Sequence, residues 1–410
     1  MKKIIAAVFI FLFIVSSNPV NAEDAGITWW SLQSIDSVKY SRDLAREKAT
    51  NKSFEAEIEK QVSAVATTGA THIAIGTPYD EEFYPFMKKW VSSARKYGLN
   101  VWFRGNFSGW EGWFEYPIIT RAQHLELTKK FISDNKDVFV DGDIFSSCAE
   151  CENGGAGDPR HNGDVAGFRQ FLVDSYKVSK EAFRLTGKNV LSNYFPMNGD
   201  VAKLIMNPET TNALGGIVVI DHYVATPERL NADINEIAKF SQGKVVLGEF
   251  GAPIPDIHGN MNEDQQADWI GRSLALLSAN PNLIGVNYWT GFGGSTHVWN
   301  SDGTPRKSVE VISGFFKPKL IGGVVKNEIG WRIKNAKVRT NEREVLTDSK
   351  GRFSLPTLSI DAVFNVSKDK YISKSIKTTN DGSIIETTLV KEQENFLFRL
   401  LKAIFQKFTK

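Results

Sequence analysis

The stretch Lys244-Val245-Val246-Leu247-Gly248-Glu249-Phe250-Gly251-Ala252-Pro253 decides how this chain is read. A short apolar run rises to one carboxylate, and a Gly and a Pro then break it. Such a run, bounded by turn residues, reads as a strand buried on both faces, the kind found in parallel sheets. Glu249 at its carboxyl end puts one charge at the mouth of a core. In a parallel α/β barrel that is the end where active sites sit. On this stretch alone, a Glu that merely caps the following helix is the alternative.

Working outward, apolar strand candidates alternate with amphipathic stretches from residue 26 to about 316. The strands are expected at 26–31, 72–76, 100–104, 142–146, 190–194, 216–221, 244–249 and 283–289. Helical spacing of apolar residues predicts helices at 53–68, 82–97, 121–134, 164–186, 231–241 and 264–279. Alternation of this kind means βα units and a parallel sheet. Eight strands in a length near the ~250 residues of a (β/α)8 TIM barrel make that the expected fold. A doubly wound open sheet would want a Gly-rich phosphate loop after an early strand, and no G-x-G-x-x-G stands there.

If the barrel is right, the strand ends gather Trp29, Trp30, Arg104, Asn106, Trp110, Trp113, Glu150, Glu152, Asn193, His222, Tyr223, Glu249 and Trp289 into one pocket. Aromatic platforms beside carboxylates and amides suit a sugar, whose C–H face packs on a ring while its hydroxyls seek polar partners. The dense aromatics of Trp110-Glu111-Gly112-Trp113-Phe114-Glu115-Tyr116 read as a sugar-binding wall or as a satellite hydrophobic cluster. Arg104 and Asn106 open that loop, within reach of hydroxyls.

Gly248-Glu249-Phe250-Gly251 resembles the seventh-strand nucleophile motif of the retaining (β/α)8 glycoside hydrolases of clan A, the cellulase and mannanase superfamily. Asp221-His222-Tyr223 resembles that superfamily's sixth-strand segment, and Asn287-Tyr288-Trp289 its eighth strand. The resemblance covers about residues 26 to 316. It implies Glu249 as nucleophile, His222 and Tyr223 as its supports, and Trp289 as the floor of the subsite at the cleaved bond. It places the acid/base near Ala149-Glu150-Cys151-Glu152-Asn153-Gly154, as Glu150 or Glu152, with Glu150 favoured because it sits where strand four should end. The superfamily's Asn before that Glu is Ala149 here, and Asn153 or Asn193 is the expected substitute for the missing amide. The substrate implied is a β-linked polysaccharide or oligosaccharide of glucan or mannan type. The alternative is a non-catalytic, carbohydrate-binding cell-surface protein on the same barrel. No metal and no organic cofactor is implied.

Retaining hydrolysis needs two carboxyl groups ~5–5.5 Å apart, against ~6.5–9.5 Å for an inverting pair. Cys148 and Cys151 bracket Glu150 and are the only two cysteines, so a local disulfide bracing the acid-bearing loop is expected. Gly154-Gly155-Ala156-Gly157-Asp158-Pro159 reads as a flexible loop over the cleft.

The ends carry separate signals. Residues 1–22 combine Lys2 and Lys3, an apolar run and a Val20-Asn21-Ala22 cleavage site, the pattern of a signal peptide. The mature protein is thus expected to be secreted, at the cell surface or in the periplasm. A net charge of +2 gives no electrostatic argument for nucleic acid. After a catalytic domain at 23–316, residues 317–390 shift to short alternating strands, as in a small antiparallel sandwich. The run from Gly322 through Asn335-Ala336-Lys337-Val338, Thr347-Asp348 and Gly351-Arg352-Phe353-Ser354-Leu355 resembles carboxypeptidase-regulatory-like and Cna-B-like Ig-fold modules, which implies a spacer or accessory unit. Within 391–410, Phe396, Leu397, Leu400, Leu401, Ile404, Phe405 and Phe408 share one helical face, with Arg399, Lys402 and Lys407 elsewhere. This predicts a basic amphipathic helix that either docks back on the protein or makes peripheral contact with an anionic membrane.

Overall fold

A computed structural model describes residues 28–155, 157–341, 343–359, 362–378 and 384–392. The expected signal peptide and the amphipathic face of the terminal helix lie outside the described residues; Lys391, placed in that helix from sequence, still pairs with Tyr371 in a β-bridge.

Eight parallel strands form one curled sheet: β1 (Leu32–Asp36), β2 (His72–Ile75), β3 (Asn100–Phe103), β4 (Ile144–Phe145), β5 (Pro196–Asn198), β6 (Ile217–Asp221), β7 (Lys244–Phe250) and β8 (Leu283–Tyr288). Their order, β4-β3-β2-β1-β8-β7-β6-β5, brings the first strand beside the last. The remaining gap is bridged where Leu191 accepts from Phe145 N–H (2.8 Å) and donates to Asp143 (3.0 Å). One extended segment thus pairs with β4 at its beginning and with β6 at its end. Helices such as Phe54–Thr67, Tyr84–Lys96, Arg121–Asp134, Val165–Thr186, Pro227–Ser241 and Glu263–Ser278 pack outside, each burying its apolar stripe against the sheet. Inside, Leu32, Ala74, Trp102, Ile144, Tyr194, Val219 and Val246 fill a layer contributed by alternate strand positions, so this TIM-like barrel is packed rather than open.

The first strand begins later than the sequence suggests. Residues 28–31, the described part of the apolar run expected there, are not the strand; Leu32-Gln33-Ser34-Ile35-Asp36 is, and it is buried throughout. Gln33 is satisfied internally: its Nε2 donates to the Phe316 (2.9 Å) and Gly69 (3.1 Å) carbonyls. Trp29 and Trp30 therefore precede β1 and lie at the amino end of the barrel, away from its mouth. Trp30 packs edge-on against Phe316, and Trp29 Nε1 donates to the Ser278 carbonyl.

Beyond the barrel the described residues form seven more strands: β9 (Lys319–Asn327), β10 (Lys337–Arg339), β11 (Glu344–Leu346), β12 (Arg352–Thr357), β13 (Val363–Ser367), β14 (Lys374–Lys377) and β15 (Ile385–Leu389). They make a four-stranded sheet, β11-β10-β13-β14, and a three-stranded one, β12-β9-β15. All pairs are antiparallel except β15 on β9, which is parallel. Val338, Phe364 and Val366 of one sheet meet Ile321, Val325, Phe353 and Leu355 of the other in an apolar core separate from the barrel's. The two bodies touch at the barrel's amino end: Arg343 donates to the Trp29 carbonyl (2.6 Å), its guanidinium 4.7 Å from the Trp29 ring centroid.

Candidate active site

Glu249 reaches the barrel mouth through an irregularity in β7. Val245 and Leu247 face the helices and Val246 faces the interior, so regular alternation would turn Glu249 outward. Between β6 and β7 the register steps from Ile220↔Leu247 to Asp221↔Glu249, leaving Gly248 as an extra residue. Such a bulge re-aims the side chain that follows it. Only Gly fits there, because a Cβ would stand 2.4 Å from Asp221 Oδ1.

The Glu249 carboxyl is buried and held at both oxygens. Tyr223 Oη donates to Oε2 at 2.7 Å, and Arg104 Nη1 donates to Oε1 at 2.9 Å. Arg104 is itself enclosed, its guanidinium 5.1 Å from the Trp102 ring centroid. It also donates to Asp36 Oδ2 and Asp221 Oδ2, each at 2.8 Å, and to the Gly248 carbonyl at 3.0 Å. Asn287 Nδ2 closes the network, donating to Asp36 Oδ2 (2.9 Å) and the Gly248 carbonyl (2.8 Å). One guanidinium faces three carboxyls. Burial raises all three above their ordinary values, Asp221 furthest, while Arg104 pulls each back and Glu249 pushes both aspartates higher. Burial opposes the Arg104 charge, but the three carboxyls outweigh it and hold that charge firmly.

His222 supports the strand rather than the carboxyl. Its N–H donates to the Glu249 carbonyl (2.9 Å), and its Nε2 lies 2.9 Å from Asp233 Oδ2, which Arg229 also binds. Trp289 follows β8, half-buried, its ring edge-on to Tyr223 (centroids 5.8 Å, planes at 77°).

The loop after β4 carries Glu150 and Glu152. Glu150 is partly exposed and adopts a left-handed backbone (φ +47°, ψ +53°), rare for a residue with a side chain. Its N–H donates to the Pro196 carbonyl (2.8 Å), and Cys148 and Cys151 on either side pair as a disulfide (Cα–Cα 5.2 Å). The charge of Glu150 acts on Glu249, raising its carboxyl. Glu152 is buried instead. Its Oε1 accepts from Asn198 N–H (2.7 Å) and Nδ2 (3.1 Å), its Oε2 has no hydrogen-bond partner among the described residues, and burial lifts the carboxyl to about 7.

Several residues expected to bind sugar are placed otherwise. Trp30 is at the wrong end of the barrel. Asn193 is buried and donates to the Leu214 carbonyl (2.9 Å) ahead of β6, and Asn153 is exposed, so Asn198 supplies the amide beside this loop. The Asn106 amide is spent internally, on Glu111 Oε1 (2.7 Å) and Phe107 N–H (3.0 Å). Trp110 is core: it stacks on Phe171 (centroids 5.0 Å, planes at 13°) and donates to the Cys151 carbonyl. The glycines expected to make a flexible flap serve close packing, since a Cβ on Gly155 would lie 2.4 Å from the Trp110 ring. Arg104 grips carboxyls rather than facing open solvent. Trp113 does reach the surface: with Arg42, Asp43, Gly112 and Phe114 it lines a cavity of about 510 Å3.

Sequence reasoning missed Asp36, Arg42, Glu111 and Asn198. Arg42, on the helical turn after β1, has its guanidinium 5.2 Å from the Trp113 ring centroid, and both Glu249 and Glu150 act on its charge. It joins the cavity to the carboxyls. Burial lifts Glu111 to about 7, with Glu150 and Glu152 adding to the rise.

No family model matches the sequence, and no curated protein does. Among solved structures, a variant of GH5_18 from Bifidobacterium longum subsp. longum ATCC 55813, in complex with Manb1-4GlcNAc, aligns at TM-score 0.54 and 12% identity, covering 74% of this chain and 86% of that one. An FMN-binding β-glucuronidase from Facaelibacterium prausnitzii L2-6 gives 0.47 at 12% identity, over 84% of this chain and 54% of that one. β-Glucuronidase 2 of Bacteroides uniformis gives 0.46 at 11%, over 82% and 44%. The chain spans about half the length of these two glucuronidases. The first likeness supports the barrel fold; at such identities it carries no more than fold.

Proposed function

We propose that this protein is an exported retaining glycoside hydrolase acting on a β-linked polysaccharide or oligosaccharide, with Glu249 as nucleophile and Glu150 as acid/base. The observation that carries the reading is the Glu249 carboxyl at the carboxyl end of β7, held by Tyr223 and Arg104 and within the field of Glu150. In the first step a Glu249 oxygen attacks the anomeric carbon while Glu150 gives its proton to the departing glycosidic oxygen. In the second, Glu150 takes a proton from water, whose oxygen displaces Glu249. Tyr223 and Arg104 aim the nucleophile and favour its ionised form, offsetting burial. Glu150 suits the acid/base role better than Glu152, because it is partly exposed whereas Glu152 Oε1 is engaged by Asn198. Its left-handed backbone is the kind of strain that sites hold in order to position a group. Trp289 and Trp113 offer rings to the sugar, and export rests on the pattern of residues 1–22.

A second reading, a sugar-binding protein without catalysis, draws on one observation. Ala149 stands where the superfamily has an amide, and the Asn106 amide nearby is engaged. Reducing-sugar release from β-glucans, mannans, xylans and galactans, comparing wild type with Glu249→Ala, separates the two. Release that vanishes in the variant supports hydrolysis through Glu249. No release, with retained binding to one polymer, supports the second reading.

A further inference from the structure

The two ends of the C-terminal sandwich differ in character. One end abuts the barrel through Arg343 and Trp29. Strand directions assign the other: β9 ends at Asn327, β15 runs parallel to it and ends at Leu389, and Lys337, Leu346, Ser367 and Lys374 sit at the same end of the facing sheet. At this distal end the chain turns through Glu328-Ile329-Gly330-Trp331. Ile329 is 70% exposed and Trp331 71%, and neither has a role in the core. Leu346, Ile372 and Val390 are also exposed there. Scattered apolar residues need no explanation, but a bulky pair at the apex of one turn, with others around it, does.

Charge sets the partner. The distal stretches 326–337, 346–352, 367–374 and 390–392 hold ten Lys and Arg against four Asp and Glu. Arg332, Lys334, Lys350, Lys370, Lys374 and Lys391 are all exposed. Indole and aliphatic side chains at an apex, ringed by cations, match the boundary between lipid headgroups and acyl chains, where Trp is favoured and each nearby cation gains from anionic lipid. Glu392, the last described residue, lies at this same end, because Lys391 pairs with Tyr371 and Glu392 N–H donates to the Lys370 carbonyl. The sequence that follows it carries the basic amphipathic pattern. Among the described residues no helix is long and apolar enough to cross a membrane.

We infer that the distal end of the sandwich is a docking surface for an anionic lipid bilayer, with Ile329 and Trp331 entering the interface and the surrounding Lys and Arg meeting the headgroups. The barrel then stands off the membrane, since it is attached at the opposite end of the sandwich. Two weak signals acting together are what stable anchoring requires, and the turn supplies one that does not depend on the tail.

The test is co-sedimentation of the full chain with vesicles of phosphatidylcholine, alone or mixed with phosphatidylglycerol. Two variants are compared: Ile329→Ser with Trp331→Ser, and Lys350→Glu with Lys370→Glu and Lys374→Glu. All five positions are exposed, so the fold is expected to survive, and unchanged circular dichroism and Tm verify it. The expected result is binding to the anionic vesicles only, weakened at least tenfold in either variant. Absence of vesicle binding overturns the inference, as does binding unaffected by the first variant, which would assign the contact to another part of the chain. Binding to soluble polyglutamate without binding to vesicles also overturns it, in favour of an anionic polymer.

Discussion

Replacing Tyr223 by Phe removes one hydroxyl and keeps the ring, so the packing on Trp289 is retained. The loss is confined to the donor 2.7 Å from Glu249 Oε2, with Arg104 still 2.9 Å from Oε1. A hydrogen bond to a charged group is worth about 1.5–3 kcal/mol. At about 1.4 kcal/mol per unit, its removal shifts the Glu249 titration by about one to two units. The sign follows from which form is favoured. The hydroxyl stabilises the carboxylate and counters burial, so without it the carboxyl holds its proton to higher pH. Activity requiring ionised Glu249 is then lost sooner on acidification. The assay is kcat/KM against pH on the best substrate from the polysaccharide panel. The acid limb should move up by about one to two pH units and the alkaline limb should stay in place. An acid limb that does not move refutes the assignment of Tyr223 as the group that keeps Glu249 ionised.

Other perturbations probe the same architecture. Burial raises Glu152 from 4.5 to about 7, so its stability contribution is complete below about pH 4.5 and lost as pH rises through about 7. That loss amounts to about 3 kcal/mol. Tm should fall between pH 5 and pH 8, and Glu152→Gln should flatten the fall; an identical fall in both proteins contradicts the burial argument. Gly248→Ala places a Cβ 2.4 Å from Asp221 Oδ1 and 3.0 Å from Val219 Cγ1, which displaces the bulge. Overpacking costs about 1–3 kcal/mol, and misplacing a reacting group by an ångström costs about a hundredfold in rate. The variant should therefore stay folded and lose most of its activity, and full activity would show that the bulge does not aim Glu249.

The barrel was legible because its strands are mostly apolar runs, buried on both faces and separated by amphipathic helices. The first strand escaped that criterion. Leu32-Gln33-Ser34-Ile35-Asp36 holds more polar than apolar residues because Gln33 ties the barrel's amino end to Phe316 and Asp36 serves the Arg104 network, whereas the more apolar stretch with Trp29 and Trp30 seals the floor. That shift of register moved two tryptophans to the wrong face and hid Asp36. Short motifs located Glu249, Tyr223, His222 and Trp289 because one strand end fixes each of them, and the structure has Tyr223 donating to Glu249 and lying edge-on to Trp289. Loop residues were harder. Whether Trp110 packs on Phe171 or faces a ligand, and whether the Asn106 amide is engaged, depends on what the next loop brings against them. Arg42 lies on a short turn with no pattern to mark it, and its signal is a cavity that exists only once the loops after β1 and β3 meet.

The central claim is that Glu249 forms a bond to the sugar. Incubating the protein with an activated 2-deoxy-2-fluoro glycoside of the sugar it hydrolyses, then digesting it and weighing the peptides, reads this directly. The account predicts one added glycosyl mass on the peptide containing Glu249, formed as activity is lost and released when activity returns. An enzyme that hydrolyses the parent glycoside but carries no label, or carries it on another carboxyl, would contradict the account.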